Sequence, residues 1–96
     1  MIEVRKTAHF DKWLSRLRDA HARARVNVRI RRIETGNLGD HKMFAKIGEF
    51  RIDAGPGYRL YFARRGEVII ILLCGGDKDS QDQDIKLAQE LEKEIA

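Results

Sequence analysis

Three basic residues in the second half of the chain, Arg51, Arg59 and Lys78, are the best candidates for chemistry. The two arginines are predicted on neighbouring strands and the lysine in the loop after a buried strand, so we expect their side chains to converge on one phosphate. Attack of an RNA 2′-hydroxyl on its own phosphodiester concentrates negative charge on the phosphorus, and fixed cations stabilise that charge without a metal. The lysine can also transfer a proton, whereas arginine stays protonated. The alternative is a set of ordinary surface ion pairs.

Basic residues are unevenly distributed along the chain. Residues 1–48 carry 12 Lys and Arg against 5 Asp and Glu (+7), and residues 49–96 carry 7 against 10 (−3), which together give the net charge of +4. On the second predicted helix Arg25, Arg29 and Arg32 recur at positions i, i+4 and i+7 and form a positive ridge. Such a ridge binds phosphates or a partner's carboxylates, or it is simply a solvated helix face.

Length and composition predict one globular domain over residues 1–96. Hydrophobic residues make up 43% and charged residues 35% of the 96, with a single proline, which excludes a disordered or low-complexity chain. The lone Cys74 cannot form an internal disulfide, and residues 1–10 do not resemble a signal peptide, so we expect a cytoplasmic protein. The longest apolar run, residues 68–74, is far shorter than the ~20 residues of a transmembrane helix, so no membrane association is expected.

The pattern of apolar residues predicts the elements that must position these side chains. Alternation over residues 2–6 indicates a short strand, and two amphipathic helices follow, with Thr7 and Asp19 as their N-caps. Period-two patterns then predict strands over residues 41–53 and 58–63, and the uninterrupted apolar run at 68–74 predicts a central strand covered on both sides. Ser80 and Gln83 are spaced as a capping box at the start of a last helix.

The resulting order is β-α-α-β-β-β-α. This order predicts an α+β fold in which two N-terminal helices and a C-terminal helix pack against one face of a small, twisted, mainly antiparallel sheet. On that sheet Tyr61 lies two residues beyond Arg59 and is predicted to share its exposed side, where it is a candidate for stacking on a base. The alternative for Tyr61 is an exposed strand tyrosine without a ligand.

Other familiar chemistries do not fit the spacing. The Gly55 to Gly57 segment joins two strands and lacks the lysine and hydroxyl residue of a phosphate-binding loop, so no nucleotide cofactor is expected. The three histidines are scattered, and no local spacing predicts a metal site. Cys74 ends an apolar strand, where a cysteine is more often a packed hydrophobe than a nucleophile.

Two blocks of sequence resemble a known family. The segments GNLGDHKMFAKIGEFRIDAGPGYRLYF and ILLCGGDKDSQDQDIKLA are similar to the phage-related addiction-module killer proteins of the RelE/HigB/ParE toxin superfamily, and the resemblance covers nearly the whole chain. It implies the compact RelE fold, a cognate antitoxin encoded nearby and, for RelE- and HigB-like members, cleavage of messenger RNA in the ribosomal A site. An association with operator DNA is implied only for the complex with the antitoxin.

The resemblance also assigns roles to residues. Arg59, in GYR, matches the arginine that family ribonucleases use at the scissile phosphate, Lys78 lies in the loop where they place another basic residue, and Arg51 is their companion. The basic residues that would hold messenger or ribosomal RNA are His41, Lys42 and Lys46. The chain has no tyrosine or histidine after Lys78, where those enzymes carry an acid or base. The residue that transfers protons is therefore not decided among Lys78, Asp77 and His41. The alternative is that the protein lacks such a residue and is a slow nuclease.

Three functions follow as hypotheses. The first is a toxin that acts as a metal-independent, ribosome-dependent endoribonuclease, and the second is a ParE-like, non-catalytic inhibitor of a protein such as DNA gyrase. The third is a plain nucleic-acid-binding domain. For the toxin, we expect the antitoxin to cover the surface of Arg51, Arg59 and Lys78 or to pack on the two N-terminal helices.

Overall fold

One strand and two helices form the N-terminal part of the chain. In the computed structural model, which describes residues 1–95, they are β1 (Glu3–Lys6), α1 (Ala8–Arg16) and α2 (Ala20–Glu34). The Thr7 side chain accepts a hydrogen bond of 3.1 Å from the Phe10 amide, and Asp19 accepts one of 3.1 Å from the Ala22 amide. Both predicted N-caps are therefore confirmed.

A five-stranded mixed sheet is completed by the rest of the chain. The remaining elements are β2 (His41–Phe44), β3 (Ile47–Ile52), β4 (Tyr58–Arg65), β5 (Ile69–Gly76) and α3 (Gln81–Ile95). The strand order is β1-β5-β4-β3-β2, in which β1 pairs parallel to β5 and every other pair is antiparallel. The predicted α+β class and mainly antiparallel sheet are confirmed.

The predicted element order lacks one strand, because four strands follow α2 instead of three. The chain reverses after Phe44 through Ala45 and Lys46, so that β2 and β3 pair as a hairpin. Ala45 adopts a left-handed φ of 52°, a conformation that residues other than glycine rarely adopt. The turn contains neither glycine nor proline, and the alternation of apolar residues continues through it. The sequence therefore gives no signal that the chain reverses here.

The helices pack on both faces of the sheet, so the prediction that all three cover one face is wrong. One core lies under α1 and α2 and contains Phe10, Val26, Ile30, Ile33, Phe50, Ile52, Leu60, Phe62, Ile70 and Leu72. A second core lies under α3 and contains Ile47, Tyr61, Ala63, Leu73, Cys74, Ala88 and Leu91. Apolar periodicity shows that a helix has a buried side but not which face of the sheet receives it.

The central strand β5 agrees with its sequence. It lies between β1 and β4, and its neighbouring residues Leu72 and Leu73 enter opposite cores. A strand buried on both faces requires an apolar residue at successive positions, which explains the absence of alternation.

All three helices are short, with 9 residues in α1 and 15 each in α2 and α3. A helix needs about 20 apolar residues to cross a bilayer. Within residues 1–95 no helix is long and apolar enough to do so.

Candidate functional site

A buried carboxylate lies between two of the predicted site arginines. Arg51 and Arg59 are opposite each other in the β3–β4 register, and Glu49 shares their face of the sheet two residues before Arg51. The Glu49 Oε2 atom lies 2.9 Å from Arg59 Nε and 3.5 Å from Arg51 Nε. The Glu49 side chain is only 2% exposed, whereas Arg59 is 16% and Arg51 is 47% exposed. The structure thus brings two of the three predicted catalytic residues together around one buried anion.

The two ion pairs leave donors unused at the ends of both guanidinium groups. Each pair uses the Nε atom, and within residues 1–95 the only further hydrogen bond of the Arg59 guanidinium is a long one of 3.4 Å from Nη1 to the Gly57 carbonyl. A guanidinium carries five N–H donors in a rigid plane. The hydrogen bond to Glu49 holds the guanidinium of Arg59, whereas Arg51 lies at 3.5 Å and is more exposed, so the terminal nitrogens of Arg59 are the better oriented donors for an anion.

Two lysines belong to segments next to the strands that carry this pair. Lys42 is opposite Glu49 in the β2–β3 register, and its Nζ atom lies 5.3 Å from the centre of the Phe44 ring. Lys78 is exposed in the loop that follows β5, two residues after Gly76, which is the register partner of Arg59. Arg51, Arg59 and Lys78 therefore come from one end of the sheet, but only the two arginines are brought together around Glu49.

The loop after β5 is fixed by its own side chains. Asp77 Oδ1 accepts hydrogen bonds from the amides of Asp79 (2.9 Å) and Ser80 (3.1 Å). Ser80 Oγ donates to Asp84 Oδ2 at 2.5 Å, so this hydroxyl turns to Asp84 and not to the Gln83 of the predicted capping box. Burial raises the pKa of Asp84; the hydrogen bond from Ser80 partly offsets this effect, and the nearby Asp77 adds to it. Lys78 thus lies in a loop that hydrogen bonds of Asp77 and Ser80 hold together, and its own side chain is exposed.

A cleft of about 710 Å³ joins the arginine pair to helix α2. Its α2 side is lined by His21, Ala24, Arg25, Val28, Arg29 and Arg32, and its β3–β4 side by Arg51, Ile52, Asp53, Gly57, Tyr58 and Arg59, with Asp40 between them. Five arginines and two aspartates line one cleft. This arrangement makes it a strongly cationic groove, suited to an anionic ligand.

Arg29 has a structural role within this cleft. Its guanidinium donates to the backbone carbonyls of Leu38 (3.1 Å), Asp40 (2.5 Å) and Arg51 (2.8 Å), and it lies 5.6 Å from the centre of the Phe50 ring. Burial lowers the pKa of Arg29, an effect that Asp40 partly offsets. Of the predicted ridge, Arg25 and Arg32 are exposed, whereas the donors of Arg29 already serve the backbone.

The prediction of an exposed Tyr61 is wrong. Its side chain is fully buried in the core under α3, because that helix covers this part of the sheet face. Within residues 1–95 its hydroxyl has no hydrogen-bond partner. Burial, together with the nearby Glu49 and Asp84, raises the pKa of Tyr61. Tyr61 is therefore not accessible for stacking on a base.

The remaining predicted RNA-binding residues lie apart from the arginine pair. His41 is opposite Phe50, so it shares the face of the α1–α2 core, and its Nδ1 atom lies 2.8 Å from the Gly39 carbonyl oxygen. Lys46 lies in the β2–β3 turn and lines a second cavity of about 410 Å³ next to α3. Neither residue lines the cationic cleft.

In residues 1–95 no side chains are arranged as a metal site, and the one thiol is not placed as a nucleophile. No group of three or more His, Cys, Asp or Glu side chains in residues 1–95 is placed to hold a metal ion. Cys74 is 3% exposed, and burial raises the pKa of its thiol to about 12. A thiol in that state is protonated at neutral pH and is a poor nucleophile. Cys74 is thus a packed core residue, as predicted.

Sequence reasoning missed three residues of the site. Glu49 alternates with Arg51 on the charged side of its strand, a signal that marks a shared face but not the burial of the carboxylate. Tyr58 packs against the core under α1 and α2, yet it is only half-buried and also lines the cleft. His21 was seen only as an isolated histidine, although its spacing of i, i+4 with Arg25 places both on one side of α2.

An uncharacterized protein of Haemophilus influenzae is 48% identical to the chain over 95 residues. The alignment covers 98% of this chain and 96% of the Haemophilus protein. The chain belongs to the same family as this protein. No protein-family model matches the chain, and no solved structure matches it. The similarity to the Haemophilus relative extends over almost the whole domain, and therefore over every element that builds the cleft.

Proposed function

We propose that the chain is the toxin of a type II toxin–antitoxin module, of the RelE/HigB type, and that it cleaves translated messenger RNA. The observation that carries this proposal is the pair Arg51 and Arg59, held by the buried Glu49 at the end of a cationic cleft. The sequence blocks GPGYRLYF and LLCGGDK, which resemble this toxin superfamily, contain Arg59 and Lys78. A RelE-like fold is part of the proposal, and the α+β architecture with its mixed sheet is compatible with it.

The proposed reaction needs no group from outside the protein and its RNA. The 2′-oxygen attacks the adjacent phosphorus and loses its proton, the bond from phosphorus to the 5′-oxygen breaks, and that oxygen receives a proton. The products are a 2′,3′-cyclic phosphate and a 5′-hydroxyl. Negative charge grows on the non-bridging oxygens in the transition state, where the terminal nitrogens of Arg51 and Arg59 stabilise it.

Proton transfer is assigned to the loop after β5. Asp77 Oδ1 already accepts two backbone hydrogen bonds, and His41 belongs to the opposite face of the sheet. Lys78 is exposed and shares the end of the sheet with Arg59. Among the three candidates, Lys78 is therefore the best placed to exchange protons with the substrate.

The proposal includes the partners that the resemblance implies. They are the ribosome with its messenger RNA and a cognate antitoxin, which brings the complex to operator DNA. The toxin acts in the cytoplasm and needs no cofactor. An antitoxin neutralises this activity if it covers the arginine pair, since the reaction requires that surface to be free.

The test is a cell-free translation reaction on a defined messenger RNA, with RNA ends mapped by primer extension. Wild type is compared with Arg51→Ala, Arg59→Lys and Lys78→Ala, and with Arg64→Ala as the matched control at an exposed position outside the cleft. Arg59→Lys keeps a cation beside Glu49 but loses the planar fork. We expect cleavage only during translation, a loss of about 100-fold in Arg51→Ala and Arg59→Lys, and full activity in the control.

Two results contradict the proposal. Intact messenger RNA with normal translation excludes the nuclease, and inhibition of DNA gyrase under the same conditions identifies the non-catalytic, ParE-like alternative. Salt-sensitive binding of nucleic acid with neither effect identifies a simple binding domain.

A further inference from the structure

The arginines of the cleft come from opposite faces of the sheet. Along β3 and β4, Phe50, Ile52 and Leu60 enter the core under α1 and α2. Arg51 and Arg59 alternate with them and therefore point to the face that carries α3. Arg25 and Arg32 belong to α2, which packs on the other face. Nevertheless all four residues line one continuous cleft.

The cleft is continuous because β2 is too short to cover the end of β3. The β2–β3 pairing begins at His41 and Phe50, so beyond Phe50 the sheet edge is formed by β3 itself. At this edge the Arg51 amide donates to Asp40, and the Arg51 carbonyl accepts from Arg29. Both backbone groups of Arg51 are thus already paired and are not free to bind another strand. The surface that remains accessible at the edge of β3 is formed by the side chains that line the cleft.

The floor and rim of this path match a flexible polyanion. Apolar and aromatic surface is offered by Ala24, Val28 and Tyr58, with Val28 39% exposed. Arg25 and Arg32 are seven positions apart on α2, which corresponds to about 10 Å along the helix axis at ~1.5 Å per residue. Proteins hold single-stranded nucleic acid by this combination of spaced cations and apolar surface, because bases stack while phosphates pair with arginine.

We propose that Arg25 and Arg32 form a subsite for the phosphates of nucleotides flanking the scissile bond, and that only single-stranded RNA reaches it. The inference rests on the proposed function, since it extends the substrate path from Arg51 and Arg59. A strand that contacts both sets must turn around the edge of β3. A single strand can bend there, but a duplex is stiff over ~150 base pairs and cannot follow so tight a turn.

The experiment measures binding of RNA in which 2′-O-methyl groups block the attack, so that affinity is separate from cleavage. Fluorescence anisotropy is recorded with a trinucleotide, with a single strand of about ten nucleotides, and with a hairpin duplex of the same composition. The variant Arg25→Ala/Arg32→Ala is compared with Arg18→Ala/Arg31→Ala, which changes the net charge of +4 equally at exposed positions outside the cleft.

We expect the Arg25→Ala/Arg32→Ala variant to bind the longer single strand at least tenfold more weakly than wild type, with little change for the trinucleotide. Two lost phosphate contacts lower the slope of log K against log salt by about 1.4, at ~0.7 per contact for single strands. The Arg18→Ala/Arg31→Ala control binds as wild type does. The hairpin binds more weakly than the single strand in wild type and in the control, and this difference shrinks in Arg25→Ala/Arg32→Ala.

Several outcomes overturn the inference. The first is an equal loss of affinity for the longer single strand in the two double variants, and the second is a hairpin that binds wild type as tightly as the single strand does. The third is absence of binding by wild type. The fourth is displacement of the RNA by poly-glutamate as readily as by unlabelled RNA, which points to an acidic protein segment as the ligand.

The cleavage assay is read independently of these binding measurements. If wild type cuts translated RNA while Arg25→Ala/Arg32→Ala is unaffected, the flanking subsite is refuted and the nuclease stands. If wild type binds as expected without cutting, the nuclease is refuted instead.

Discussion

Glu49 Oε2 lies 2.9 Å from Arg59 Nε in a position where the carboxylate side chain is 2% exposed. A carboxylate buried to this extent is stable only beside a cation, because the interior solvates an isolated charge poorly. Arg51 is a second partner at 3.5 Å, but it is 47% exposed and its attraction to Glu49 is screened by water. Arg59 is therefore both a candidate for phosphate chemistry and the main counter-ion of a buried acid.

Replacement of Arg59 by alanine is expected to destabilise the domain as well as to abolish activity. The change leaves Glu49 buried with only the weaker Arg51 pair, and the removal of one partner of a buried pair typically costs about 3 kcal/mol. Arg51→Ala removes an exposed partner and is expected to cost about 1 kcal/mol or less. Chemical denaturation of both variants measures the difference.

The double variant Glu49→Gln/Arg59→Ala separates the two effects of Arg59. Glutamine carries no charge to be stranded, so the double variant is expected to be more stable than Arg59→Ala alone. If Arg59→Ala and Arg51→Ala destabilise equally, or if the glutamine restores nothing, Glu49 is not held chiefly by Arg59. This control also shows whether a loss of cleavage reflects chemistry or unfolding.

Much of the fold was predictable because local patterns dictate it. Thr7 and Asp19 cap the helices that follow them, and the apolar run of β5 becomes the interior strand. The placement of Arg51 opposite Arg59 could also be predicted, because two alternating strands joined by a glycine-rich turn place charged residues on a common face. These features depend on residues close together in the sequence.

The features that were missed depend on tertiary placement. Tyr61 follows the same alternation as Arg59, yet α3 covers one and leaves the other partly exposed, and no periodicity encodes that boundary. The turn at Ala45 adopts a left-handed conformation without glycine. Arg29 resembles its neighbours on the helical ridge, but its guanidinium reaches three carbonyls that only the folded chain brings near.

Arg29→Lys is expected to destabilise the domain by about 1–3 kcal/mol, since a lysine ammonium cannot span the carbonyls of Leu38, Asp40 and Arg51 together. The matched control is Arg25→Lys on the exposed side of the same helix, for which we expect a change within about 0.5 kcal/mol. Urea denaturation of the two variants decides between them. Equal stabilities contradict the role of Arg29 as a clamp between α2 and the sheet edge.

Tyr61→Phe is expected to leave the domain as stable as wild type, or to stabilise it by about 1 kcal/mol. The Tyr61 hydroxyl is buried without a hydrogen-bond partner within residues 1–95, and such a group opposes folding because it loses its bonds to water. Thermal unfolding of the variant measures the effect, with Tyr58→Phe as the control in the cleft. A marked loss of stability in Tyr61→Phe contradicts an unpaired hydroxyl and indicates that this group is bonded in solution.

The stability of the domain is expected to fall in mildly alkaline solution because of Cys74. Burial raises the pKa of this thiol from its ordinary value of 9.0 to about 12. Above pH 9 the unfolded chain releases the proton while the folded chain retains it. The free energy of unfolding therefore decreases as the pH rises toward 12, by about 1.4 kcal/mol at pH 10. The raised pKa of Tyr61 acts in the same direction at higher pH.

Urea denaturation of wild type and Cys74→Ala between pH 7 and pH 10 isolates the effect of the thiol. The alanine variant lacks only the part of the decrease in unfolding free energy that Cys74 causes. Parallel pH dependences of the two proteins would show that Cys74 ionises as readily in the folded chain as in the unfolded one.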